Sequence, residues 1–189
     1  MDALHALHTR SSANLLCEPG PSKLQIDNIV KAGLRACDHR CLRPWRYLII
    51  QGSARDSFGD LMVDVLQARD GAALDEKTKE KVKGKPQRAP TILVVIAKLT
   101  PHPSVPEIEQ LLSAGASAQM MMTAAYAQGV GAIWRSGGIM FEEGLRQGLG
   151  LSENERLIGF IYLGTPKVSK PAPELDPDDF LSAWPAIPD

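Results

Sequence analysis

The chain has 189 residues, 44% of them hydrophobic and 23% charged, enough to bury one good core in one domain of ordinary globular composition. Its formal net charge of −1 excludes a global positive field for nucleic acid or an anionic membrane, and no run approaches the ~18 uninterrupted apolar residues of a membrane-crossing helix. Three cysteines, an odd number, make no disulfide framework, and MDALHALHTRSS has neither a basic nor an apolar leader region, so a reduced, cytoplasmic protein is predicted.

In chain order, residues 2–9 read as a short helix with Leu4 and Leu7 on one side. PSKLQIDNIVKAGLRA is a clearer helix: Ser22 and Gln25 form a capping box, and Ile26, Ile29, Val30 and Gly33 keep helical spacing. RYLIIQG is a strand running from just after Pro44 to Gly52. DSFGDLMVDVLQARD returns to helical period, with Phe58, Leu61, Met62, Val65 and Leu66 on one face. The Lys-rich run EKTKEKVKGKPQR, diluted by Glu, reads as a solvated helix and linker broken at Pro86 and Pro90. TILVVIAKL is continuously apolar and β-branched, a strand buried on both sides.

After the proline-punctuated turn TPHPSVP comes the longest helix, EIEQLLSAGASAQMMMTAAYAQG, with Gly129 as its C-cap. It is apolar nearly all round from Ala114 to Ala127, so enclosure by protein is expected; Met120, Met121 and Met122 read as core filler. GAIWRSG and RLIGFIYLGTP are the third and fourth strands. Residues 167–189 are Pro- and Asp-rich, with Phe180 and Trp184 as isolated apolar anchors. Such a tail has no core of its own and is expected to pack on a partner subunit. The division is therefore a domain over 1–166 and a tail over 167–189.

LRACDHRCLRPWRYLII places Cys37, His39 and Cys41 in alternation. A structural zinc site wants four ligands, usually in two pairs, whereas Cys17 lies far upstream, His5, His8 and His102 are unpaired, and Arg35, Arg40, Arg43 and Arg46 repel a dication. The reading is no metal, with the cysteines as small, partly buried fillers. Arginine forks match phosphate and carboxylate geometry, so these cations point to an anionic ligand or to pairing with Asp38 and surface acids. Arg10 in TRSSAN and Arg135 in WRSGG add donors at element ends, among serine hydroxyls and glycine-freed amides. Three such places suggest one phosphate-bearing ligand held by Arg10, the 35–46 loop and Arg135. No G-x-G-x-x-G follows a strand and there is no Walker loop.

The Arg-x-Ser after a short helix, AGLRACDHRCLRPWRYLII, AAYAQGVGAIWRSG and LIGFIYLGTP together resemble the FMN-dependent nitroreductase family, nearest its minimal bacterial members, over residues 1–166. The resemblance implies an α+β fold with a central, mainly antiparallel sheet flanked by helices, working as an intertwined homodimer with FMN in the interface. By position, Arg10, Ser11, Ser12, Trp134, Arg135 and Ser136 would hold FMN from one subunit, with Arg35 and His39 reaching it from the other. Ala124, Ala125, Tyr126, Ala127, Gln128 and Gly129 match the segment assigned to NAD(P). No catalytic side chain is implied, because FMN carries the chemistry: hydride from NADH or NADPH, then reduction of a small nitroaromatic or quinone acceptor. The chain departs from the family in carrying Ser11 and Asn14 where relatives often place cations. Two further readings stand beside this one: an FMN-binding protein without turnover, and a zinc-stapled interaction domain on Cys37, His39 and Cys41.

Overall fold

The computed structural model describes residues 2–168 and 170–184. Helix α1 (Ala3–Thr9) starts on the carboxylate of Asp2, which accepts from the His5 amide, and leads through the two-residue strand β1 (Leu16–Cys17) to α2 (Lys23–Gly33). The capping box at the start of α2 is fully formed, with Ser22 and Gln25 each accepting from the other's backbone. Strand β2 (Trp45–Gln51) follows, then the helices α3 (Ala54–Asp70) and α4 (Glu76–Lys83). Strand β3 (Thr91–Lys98) precedes the long α5 (Glu107–Ala127), which ends where Gly129 takes a φ of 74°. Strand β4 (Gly131–Arg135), the short α6 (Glu143–Gly148) and β5 (Glu155–Pro166) complete the domain. Sequence periodicity had no purchase on β1 or α6, which are too short to show a period.

All pairings are antiparallel: β5 lies between β3 on one side and β4 with β1 on the other, and β2 extends the sheet beyond β3. The α+β fold with a central antiparallel sheet flanked by helices is thus the one expected. β3 is buried from Thr91 to Ala97, and its alternation divides the interior. Ile92, Val94 and Ile96 face Phe58, Met62 and Val65 of α3, while Leu93 and Val95 face Ile29 of α2 and Ala118, Met121 and Ala125 of α5.

Three expectations are corrected. First, one chain by itself covers only one side of the 114–127 stretch of α5: Ser117, Ala118, Met121 and Ala125 are buried, but Met120 is exposed. A helix apolar all round needs a second cover, and a single chain covers one face. Second, Cys37 and Cys41 are exposed and only Cys17 is partly buried, because positive φ at Arg40, Cys41 and Arg43 throws this turn outward. Third, the Asp38 carboxylate accepts the amides of Leu42 and Arg43 instead of pairing with arginine side chains. The tail after β5 is tied at its start, where Ser11 Oγ donates to the Lys170 carbonyl, but Leu175, Phe180, Leu181 and Trp184 are exposed.

One ion pair is built into the sheet. Arg46 of β2 forks onto Glu155 at the start of β5, at 2.5 and 2.7 Å, and the Ser152 amide adds a third donor. Glu155 is only 3% exposed. The Arg46 fork holds its carboxyl below the usual carboxylate range, against the opposing effect of burial. Arg46 is therefore committed to structure and is unavailable to a ligand. Arg46→Ala, which leaves Glu155 buried and unpaired, is expected to cost about 3 kcal/mol in denaturant unfolding. The folded value being the depressed one, the pair's contribution is complete above the ordinary Glu pKa of ~4.3 and is lost as pH falls through the folded value. A wild-type minus variant difference that stays flat through that acid range would contradict the assignment.

Candidate functional site

The end of β4 governs what faces a large hollow beside the sheet. Trp134 and Arg135 are neighbours on a strand, so their side chains leave on opposite faces. The Trp134 indole packs in the α5-side core, where it lies against Gly159 of β5 and near Gly115 of α5; a Cβ at Gly159 would run into Trp134 Nε1. Arg135 consequently projects to the α3/α4 side, with its guanidinium 5.5 Å from the centre of the Tyr162 ring. Beyond it Ser136, Gly137 and Gly138 expose their backbone at the rim.

The hollow there has a volume of about 690 Å³ and is walled by Met62 and Leu66 of α3, Val82 of α4, and Phe160 and Tyr162 of β5, within the size range of cofactor sites. Its polar wall is cationic: Arg69, Lys81, Lys85, Arg88 and Arg135, with no carboxylate among the lining residues. Arg69 is bonded to Asp70, while Arg135 Nε is buried without a partner. Burial, then the charges of Arg88 and Lys81, press Lys85 below the ordinary lysine range. Tyr162 is raised by burial and lowered by Arg135 and Arg88. A second hollow of about 260 Å³ shares Arg88 and Arg135 with the first and adds Asn14, Leu15, Leu16 and Lys167. An apolar slot with one buried, unpartnered guanidinium donor, Arg135 Nε, and a cationic wall fits a flat aromatic ligand bearing phosphate.

The N-terminal strip reaches the same edge. Ala13 donates its amide to the Ala132 carbonyl, so residues 10–14 run beside β4, and Arg10 Nη1 is buried without a partner. Ser11 is engaged with Lys170, and Ser12 is exposed. His39 lies elsewhere, with Nδ1 2.7 Å from Glu109 near the start of α5. Thr9, next to Arg10, receives the Tyr126 hydroxyl near the other end of that helix. The seventeen helical steps from Glu109 to Tyr126 span about 25 Å. One chain therefore does not bring His39 and Arg10 to one mononucleotide; Arg35, in the turn after α2, is exposed and makes no side-chain bond among the described residues.

In the segment 124–129, Tyr126 is bonded to Thr9, and Gln128 donates to the carbonyls of Gln25 and Ala124 and accepts from Asn28. Ala125 is buried, Ala124 half-buried, and Ala127 and Gly129 are exposed. Lys81, Lys85 and Arg88 were missed from sequence because the run was read by composition. The usable signal was spacing: Lys81 and Lys85 are four apart around the buried Val82, while Lys79 and Lys83 pair outward with Glu76 and Asp60. Among the described residues no group of three or more His, Cys, Asp or Glu side chains gathers where a metal ion would sit.

The nitroreductase family model matches residues 7–165. The chain is 40% identical over 184 residues to YdjA of Escherichia coli (strain K12), which carries a provisional NAD(P)H nitroreductase name; the match covers 96% of this chain and 99% of the relative. The crystal structure of a nitroreductase-like family protein from Bacillus cereus superposes with a TM-score of 0.80 at 18% identity, covering 98% of this chain and 97% of that one. A protein of provisional nitroreductase name from Desulfovibrio desulfuricans, solved in complex with FMN, superposes at 0.74 with 21% identity and 98% coverage of both chains.

The seating of Trp134 on Gly159 yields a direct test. Gly159→Ala is expected to displace the indole, shift the tryptophan emission and cost about 1–3 kcal/mol by overpacking, read by denaturant unfolding. Unchanged stability and emission would show that the indole is not held there.

Proposed function

The chain belongs to the nitroreductase family, and from that premise we propose that it binds FMN non-covalently and uses it to reduce small nitroaromatic or quinone acceptors with NADH or NADPH. The observation that carries this reading is Arg135, whose Nε is buried without a partner, lining an apolar, cationic cavity. When bound, FMN supplies a centre that accepts a hydride and passes on two electrons. For a nitro acceptor the balance is ArNO₂ + NAD(P)H + H⁺ → ArNO + NAD(P)⁺ + H₂O.

The chain's own residues then have distinct tasks. Arg135, with Arg10, Ser11 and Ser12, offers donors to the phosphate. Trp134 holds β4 in register, so that the exposed backbone of Ser136 meets the flavin edge. Phe160 excludes water from one side of the ring, and Arg88 supplies positive charge where a reduced flavin becomes anionic. Ala127 and Gly129, with the neighbouring backbone of Ala124, Ala125, Tyr126 and Gln128, are the proposed nicotinamide-cofactor surface.

The site is proposed to be completed by a second copy, which brings Arg35 and His39 to it. The separation of His39 from Arg10 within one chain supports this, as does the exposed apolar face formed by Met120 of α5 with Leu7 of α1. The domain proper is taken as 1–166, and the tail 167–189 is taken to lie on that partner; residues 169 and 185–189 lie outside the described residues. Among the described residues no helix is long and apolar enough to cross a membrane, and a cytoplasmic setting is part of the proposal.

Two measurements test this reading. Purified protein is expected to be yellow, to release its colour on acid precipitation, and to lose FMN affinity roughly ten- to a hundredfold on Arg135→Ala, the worth of one or two charged hydrogen bonds. A protein that takes up no FMN, or a variant that keeps wild-type affinity, would overturn it. Sedimentation of the flavin-loaded protein at micromolar concentration is expected to give a dimer, and a flavin-loaded monomer would remove the proposed role of His39.

A further inference from the structure

Five cations face the two joined hollows without a carboxylate to answer them. Lys81, Lys85, Arg88 and Arg135 line the larger, and Lys167 joins Arg88 and Arg135 in the smaller. Among the described residues none of the five is in an ion pair, although the neighbouring Lys79 and Lys83 both are. Such a cluster repels itself, and on Lys85 this repulsion adds to burial, the larger cause of its lowered proton affinity. The charge is more than the proposed cofactor needs. FMN brings roughly two negative charges on its phosphate and one more when its ring is reduced, and the phosphate is matched to the end where Arg135 and Lys167 lie. Lys81 and Lys85, four residues apart at the end of α4 and in the turn that follows it, line only the larger of the two hollows.

We propose that the electron acceptor is an anion, a nitroaromatic or quinone carrying a carboxylate, and that Lys81 and Lys85 are the residues that select it. This rests on the flavin reading above and adds to it a substrate class. The carboxylate docks on the two ammonium groups, and the aromatic body continues into the apolar wall of Met62, Leu66 and Val82. Lys81 is exposed and Lys85 half-buried, so the ion pairs are open to solvent and salt screens them. The two-electron reduction written above is unchanged; the acceptor's carboxylate takes no part in it.

The test compares isosteres that differ in charge. Titrating the flavin-loaded protein with benzoate and with benzamide, and following the flavin absorbance, is expected to show benzoate bound at least about tenfold more tightly, the worth of one charge-assisted hydrogen bond. The same ratio is expected in kcat/KM for 4-nitrobenzoate against 4-nitrobenzamide, and should shrink as salt rises. The double variant Lys81→Gln, Lys85→Gln is expected to abolish both preferences, while Lys83→Gln, outside the cavity and paired with Asp60, keeps them. Flavin content and melting temperature are read on each variant, so that misfolding is not mistaken for lost selectivity. A flavoprotein that binds benzamide as well as benzoate, or a folded double variant that still prefers the anion, overturns this inference alone. A protein that retains no FMN overturns the flavin reading and this inference with it.

Discussion

A missing methyl group sets the geometry of this molecule. At position 159 of β5 there is only hydrogen where the Trp134 indole comes down on the strand, and a large flat side chain fits there only in one register of β4 against β5. Register decides direction, because one residue of slip exchanges the two faces of a strand. With Trp134 committed to the α5 side, Arg135 is committed to the α3/α4 side, and Gly137 and Gly138 follow at the rim. The cationic cavity is thus a consequence of how one indole is packed. Gly164 on the same strand plays a parallel part, admitting Pro90 close to the backbone, so the central strand tolerates neighbours on both faces that a side chain would push away.

Much of this was legible in the sequence where the signal was local. The Ser22–Gln25 capping box, the wholly buried β3 and the glycine after α5 all follow from properties of a few adjacent residues. The fold class followed from the order of these elements and from a resemblance spread over several short motifs. What failed was direction in space. The arginines of the 35–46 loop looked like one cationic cluster, but Arg46 turns into the sheet to meet Glu155, and the outward turn leaves Arg40 and Arg43 exposed. The lysines of α4 looked like a solvated face, yet two of the run turn toward a cavity that exists only once α3 and β5 are in place. Composition counts charges and cannot say which way a helix is rotated.

The long helix α5 shows the same limit from the other side. Its apolar character was plain, but a single chain satisfies only half of it, leaving Leu112 and Met120 in the open. The buried half packs closely on α2: a Cβ on Gly33 would strike the side chains of Met121 and Ser117, so α5 side chains rest directly on the backbone of α2. Ser117 in turn meets the Tyr47 hydroxyl at 2.6 Å, a buried polar pair that each partner needs, since either alone would be left without a hydrogen bond.

The turn around His39 has a further consequence, for the engineering of this scaffold. Arg40, Cys41 and Arg43 all carry positive φ, a conformation that costs a side-chain-bearing residue about 1–3 kcal/mol, and two backbone bonds to the Asp38 carboxylate hold it. The segment therefore behaves as a loaded spring. Introducing glycine at any of the three positions unloads it, adding thermal tolerance while softening the grip on the imidazole. Stability selected in the laboratory at this turn would be gained at the expense of a fixed orientation for His39 against Glu109.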